Sequence, residues 1–286
     1  MQVFFFLQRG LEQPDHPELL HPRSAASWDC CTLGLLQGTD AMEKRMPGLT
    51  VATGLMQHPF DAQNGVRTSG LVAGRHLGSG HRHDRHATAY YGVAPSVFEG
   101  LLARWYRTSP VAPIEETTFV DVGAGMGRAL LLAAELPFRR VVGVELNPRL
   151  VRIARRNATA WRRQGRACTP IRIFGADAAE FRFPAQPCVV FLFNPFGAVV
   201  MRRFLTNLRR RCGTRQDGPD ILYVNNEQDG VIEASRGWQR VFAGRVRRSQ
   251  ADAIADKKIL LGQPEAEYAA AGYEDCSIWR WTPSRR

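Results

Sequence analysis

The chain has 286 residues, 44% of them hydrophobic and 23% charged, which is enough for two domains or for one large domain with an appendage, and enough to bury a core without disulfides. Its 26 Gly and 17 Pro follow no strict period, which excludes a collagen-like chain, and the apolar content argues against disorder throughout. The net charge of +11 is unevenly placed: residues 1–86 carry eight Lys/Arg against eight Asp/Glu, and residues 87–286 carry thirty against nineteen.

The longest apolar runs, 3–7 and 129–134, fall far short of the roughly 20 residues that cross a bilayer, so no membrane span is expected. The opening MQVFFFLQ has no basic residue ahead of its apolar patch and does not look like a secretory leader. Six cysteines form no CxxC pair and are expected to be free thiols in a reducing cytoplasm.

Residues 1–86 lack sustained periodicity and are rich in turn-forming residues, so they are read as a loosely ordered appendage or lid. All seven histidines lie there, and a catalytic core built downstream is therefore expected to work without one. The cluster His76, His81, His83 and His86 sits among Arg75, Arg82 and Arg85 with no cysteine nearby, and no metal site is expected from it. From Ala87 the texture changes. Apolar residues at 97, 98, 101, 102 and 105 predict an amphipathic helix over 96–106.

Residues 117–122 form a β-branched and aromatic run, followed by glycines and the helix-forming RALLLAAEL at 128–136, which predicts strand, tight turn and helix. A second strand is expected at 140–146 and a helix at 148–164, with Pro148 in its first turn. Strands at 171–174, 188–193 and 221–225 follow, with a helix at 198–211, and two further strands at 239–247 and 276–281 are expected to be joined by a longer loop. Continuous apolar strands alternating with helices predict an α/β fold, a doubly wound, mostly parallel sheet covered on both faces, over residues 87–286.

The sharpest signal is Asp121-Val-Gly-Ala-Gly-Met-Gly127, where Gly123, Gly125 and Gly127 follow a predicted strand and open a predicted helix. Glycines there permit a tight turn and close approach of a ligand to the backbone. Glu145 ends the second strand twenty-two residues after Gly123, about where an acid accepts from both hydroxyls of an adenosine ribose. Nicotinamide dinucleotides use the same architecture, but with GxGxxG facing a pyrophosphate. This chain has GxGxG, and Asp121 two residues earlier would repel a pyrophosphate and pair with an ammonium group. S-adenosylmethionine carries such an ammonium and no phosphate.

The runs DVGAGMG, VVGVEL and GADA resemble those of class I S-adenosylmethionine-dependent methyltransferases. With FLFNPFG at 191–197, the chain resembles more narrowly the small bacterial members related to Dot1-like lysine methylases. The resemblance implies a seven-stranded sheet of order 3-2-1-4-5-7-6 with strand seven antiparallel. It implies that Asp121 and Gly123 hold the amino-acid arm of the cofactor, that Ala124, Gly125 and Gly127 border it, and that Glu145 binds the ribose. Asp177 would accept from the adenine amine with Ala178 nearby; helix capping is the alternative role for Asp177. Tyr90 or Tyr91 would wall the pocket. Asn194-Pro-Phe-Gly197 resembles the (Asp/Asn)-Pro-Pro-(Tyr/Phe) loop of amine-directed methyltransferases, so Asn194, Pro195 and Phe196 would meet the substrate, with Asn194 as the catalytic contact. Phe196 stands where that loop has its second proline and Gly197 where it has its aromatic residue, which removes the planar stacking platform.

The expected reaction is methyl transfer to an amine-like acceptor, on protein lysine or a small molecule, with a nucleic-acid base as a third acceptor class. The rivals are an NAD-dependent oxidoreductase and a non-catalytic binding module on the same fold. The arginine-rich stretches 149–166 and 202–215 are explained by solvated helix faces or by a nucleic-acid footprint, which salt dependence separates.

Overall fold

The computed structural model describes residues 57–282 apart from 186, 214, 216 and 262–270. The first 56 residues of the expected appendage lie outside the described residues.

Seven strands form the main sheet: β3 (Thr118–Val122), β4 (Arg140–Glu145), β5 (Ile171–Gly175), β6 (Cys188–Phe193), β7 (Asp220–Val224), β8 (Trp238–Arg247) and β9 (Tyr273–Trp281). Their spatial order is β5-β4-β3-β6-β7-β9-β8. Numbered from β3, this is the order 3-2-1-4-5-7-6. The first five strands pair in parallel, and β9 runs antiparallel to both β7 and β8. The central strands β3, β6 and β7 are buried along almost their whole length, because helices cover both faces and leave no side to face water. On one face Phe119 and Phe191 pack against Phe98 of α2 (Pro95–Arg107). On the other, Val120, Val122 and Val190 share a core with Val200 and Phe204 of α5 (Ala198–Cys212). The chain reversal from β3 to β6 beside β4 creates the switch point at the carboxyl edge, where ligands of such sheets bind.

A buried polar cluster fastens the far side. Asp220 accepts from the Trp105 indole N–H at 2.9 Å and from Arg280 at 3.0 Å, tying α2, β7 and β9 together.

Part of the stretch read as a loose appendage, residues 57–86, is described and is bonded into the domain. It comprises α1 (Pro59–Asn64), a hairpin of β1 (Leu71–Val72) with β2 (Tyr90–Tyr91), and turns between them. The cause is side-chain bonding that no periodicity betrays. Arg128, at the start of α3 (Arg128–Ala134), is buried and donates to the Thr68 hydroxyl and to the carbonyls of Gly92 and Val93. Asn157 of α4 (Pro148–Arg163) donates to the Arg67 and Met126 carbonyls and accepts from Arg67 N–H. The loop expected between the last two strands also differs, for it contains α7 (Gln250–Leu261), which follows the short α6 (Asp229–Glu233) and β8 in the chain.

Candidate functional site

The turn after β3 is built on three glycines with φ of +75° (Gly123), +53° (Gly125) and +92° (Gly127), a region that side chains other than glycine adopt at a cost. Space reinforces conformation. A Cβ on Gly123 would lie 2.4 Å from Pro195 Cβ, and one on Gly125 would lie 2.2 Å from the Tyr90 ring. The glycine loop, the Asn194-Pro195 turn and β2 therefore touch one another through these two positions.

Among these elements lies a cavity of about 100 Å³, whose walls include Gly123, Gly125, Glu145, Asp177, Ala178 and Tyr90, with Tyr91, Pro195 and Phe196 completing its rim. Three other sequence-chosen residues line neither this cavity nor the next: Asp121 is buried within β3, Ala124 packs into the core, and Gly127 lies against Ala154. Asn194 lines a second cavity of about 240 Å³ with Asn225 and Glu227, and the two cavities share Thr88, Ala89, Tyr91 and Phe193.

Asp121 is the penultimate residue of the fully buried β3 and is 4% exposed. Among the described residues its carboxylate has no hydrogen-bond or ion-pair partner. Burial, and then the neighbouring Glu145 charge, push its pKa up to about 8. A buried carboxylate without a partner is costly, and it suits a ligand that brings a cation. Glu145 is differently placed. One of its oxygens accepts from Gly125 N–H at 2.8 Å and the other from Asn147 N–H at 2.7 Å, leaving each oxygen a further lone pair. Burial raises its pKa despite those two bonds.

Asp177 takes the capping role weighed for it and adds a contact with two histidines. Its Oδ1 accepts from Ala179 N–H at 2.9 Å, capping the turn that follows. Its Oδ2 lies 2.8 Å from His83 Nδ1 and 3.9 Å from His81 Nε2. The upstream segment folds back and lays His83 on the pocket wall, so a histidine stands beside a core that the sequence reading built without one. His81, His83 and Asp177 could in principle surround a metal, but Arg203 Nη1 stands 2.7 Å from His83 Nε2. A guanidinium only donates, so Nε2 must accept, the proton sits on Nδ1, and that nitrogen has no lone pair for an ion.

Asn194 (φ +38°) and Asn225 (φ +50°) both occupy left-handed conformations, at the carboxyl ends of the adjacent strands β6 and β7. Asparagine tolerates this region better than most residues. The Tyr223 hydroxyl donates to Asn194 Oδ1 at 3.2 Å, and the Thr88 hydroxyl donates to the Asn194 carbonyl. The 86–88 backbone bonds to the same turn, with Gly197 N–H to the His86 carbonyl at 3.0 Å and Thr88 N–H to the Pro195 carbonyl at 3.3 Å. Thr88, Asn225 and Glu227 were not foreseen. The polar residues that follow the apolar ILYV run at the carboxyl edge were the available signal for the last two.

The residues present fit S-adenosylmethionine: a partnerless buried carboxylate for the ammonium, and an acid at the end of β4 for the ribose. Residues 119–214 match the family model described as a methyltransferase domain. Among curated proteins none matches. Similar solved structures include a ribosomal protein L11 methylase from Lactobacillus delbrueckii subsp. bulgaricus, at 13% identity and TM-score 0.41, covering 64% of this chain and 77% of that one. A putative RNA methyltransferase from Pyrococcus horikoshii is 16% identical at TM-score 0.45, with coverage of 65% and 84%. Magnesium protoporphyrin IX methyltransferase from Synechocystis, solved with S-adenosylmethionine bound, is 13% identical at TM-score 0.42, with coverage of 64% and 76%. The methyltransferase domain matched over residues 119–214, set on this sheet order and glycine loop, makes the protein an S-adenosylmethionine-dependent methyltransferase.

Proposed function

We propose that the acceptor is an amine and that it enters the 240 Å³ cavity beside Asn194. The observation that carries this is the lining of that cavity, which brings Asn194, Asn225 and Glu227 together where it joins the cofactor pocket. Glu227, exposed at the edge, draws in a cationic amine. Asn194 Oδ1, already accepting from Tyr223, keeps one lone pair to orient an amine N–H. The cationic amine gives one proton to Glu227, and from there to solvent, before its lone pair can take a methyl group, and the N-methyl product leaves as a cation.

S-adenosylmethionine supplies an electrophilic methyl group on a sulfonium. Asp121 would hold its ammonium, Glu145 its ribose, and Gly123 and Gly125 would let its amino-acid arm approach the backbone. Asp177, with Ala178 beside it, would meet the adenine end, its orientation fixed by His83. Tyr90 and Tyr91 wall the pocket, with Tyr90 bonded to the Thr68 carbonyl and Tyr91 to Asp256, each at 2.7 Å. Pro195 and Phe196 form the floor between cofactor and acceptor. The rest of the work is alignment and exclusion of water. Residues 77–91 supply one wall of this cavity, with Leu77, His83, Thr88, Tyr90 and Tyr91 facing it.

The test uses methyl-tritiated cofactor with lysine-containing peptides, small primary amines, phenols and carboxylic acids as acceptors. Label in acid-stable N-methyl products is expected, and Glu227→Gln should lower kcat/KM for cationic amines more than for neutral ones. Label confined to hydroxyl or carboxyl acceptors would overturn the assignment.

A further inference from the structure

A concavity of about 1070 Å³ lies beside the cofactor pocket, between α4, the 79–81 turn and the end of β5. Its floor includes Leu146, Pro148 and Val151, and four arginines of α4 line it: Arg152, Arg155, Arg156 and Arg163. Among the described residues no carboxylate lines it. Arg155 donates to the Ile173 carbonyl of β5 at 2.9 Å. Arg152, Arg156 and Arg163 are exposed and have no ion pair among the described residues.

Guanidinium groups gathered without counter-charge repel one another, and they are compensated by an anion. The anion must be long: residues 152 and 163 are eleven positions apart, about 16 Å along a helix axis. It must also enter a groove, which a flat bilayer does not. Planar guanidiniums above an apolar floor suit phosphates alternating with flat bases better than they suit the carboxylates of an acidic peptide, which leave such a floor uncovered. From these features the geometry points to a docking groove for a single-stranded polynucleotide, held by its phosphates on Arg152, Arg156 and Arg163. The groove meets the cofactor pocket only at Leu146, so this binding stands whether or not the polynucleotide is also the methyl acceptor.

The test is fluorescence anisotropy of the full chain with a labelled single-stranded RNA 16-mer over a salt series. Each phosphate neutralised on a single strand contributes about −0.7 to the slope of log affinity against log salt. Three contacts give a slope component of about −2, or roughly a twentyfold loss of affinity from 50 to 200 mM salt. The triple variant R152Q/R156Q/R163Q should bind at least tenfold more weakly at 100 mM salt with a slope shallower by about 2. The triple variant R202Q/R209Q/R210Q, with the same charge change on exposed positions of α5, should lose less than threefold. Thermal melting and S-adenosylhomocysteine binding report that both variants are folded, and the single variant R156Q, expected to flatten the slope by about 0.7, supplies the same test with less perturbation. Equal loss in the two triples, no binding by the unaltered chain, or displacement of the RNA by polyglutamate or by anionic vesicles at matched charge would each overturn the proposal.

Discussion

The partnerless Asp121 carboxylate makes cofactor affinity pH-dependent in a direction that can be worked out. Its pKa is pushed up to about 8, so at pH 5 to 7 the carboxyl of the free protein is mostly protonated. The α-amino group of the cofactor, with an ordinary pKa of about 7.7, remains an ammonium through that window. If only the ionised carboxylate pairs with it, affinity follows the ionised fraction, which rises nearly tenfold per pH unit and about a hundredfold from pH 5 to pH 7. Binding should release close to one proton, which calorimetry in two buffers of different ionisation enthalpy measures directly. Asp121 and Glu145 share this titration, so the midpoint belongs to the pair. Asp121→Asn should weaken binding and abolish the slope. Affinity that is flat from pH 5 to 7, or a slope that survives in Asp121→Asn, would refute the pairing.

The same shift acts on folding. A native pKa raised from 3.8 to about 8 means that the stabilisation is complete below about pH 4 and is lost as pH rises through 8, by an amount on the order of a few kcal/mol; Asp121→Asn should remove that loss in chemical denaturation of the unliganded protein. Gly125→Ala forces a left-handed alanine into the Tyr90 ring and should cost about 2–4 kcal/mol in urea unfolding while abolishing cofactor binding. Asn194→Ala should lower kcat roughly 10²-fold through lost alignment, with cofactor affinity in direct titration changed less than threefold. Asp220→Ala leaves Arg280 and the Trp105 indole without their shared acceptor and should cost about 3–5 kcal/mol, read as a fall in Tm with the cofactor pocket unaltered.

The sheet was legible because its central strands are buried on both faces and therefore read as unbroken apolar runs, and the site was legible where backbone geometry demands glycine. What escaped was order held by polar bonds. Helix α7 buries Asp252, Ala255, Asp256 and Ile259, a face half acidic, which no apolar period reveals. Asp256 is held by Arg248 at 3.0 Å and by the Tyr91 hydroxyl, while Ser96 and His58 bond to Asp252, whose pKa falls to about 2 because those bonds outweigh its burial. Residues 57–86 escaped for the same reason: their anchors, Arg128 and Asn157, look in sequence like ordinary polar members of two helices. His83 reaches Asp177 only through that folding back. Asn225 and Glu227 become neighbours of Asn194 because β7 pairs with β6, a relation of register and not of spacing.

Calorimetric titration of the full chain with S-adenosylhomocysteine and, separately, with NAD tests most directly whether the glycine loop and its two acids make a home for a sulfur-bearing amino-acid nucleoside. One-to-one, saturable binding of S-adenosylhomocysteine with no heat from NAD is the expected result. Saturable binding of NAD with none of S-adenosylhomocysteine would contradict it.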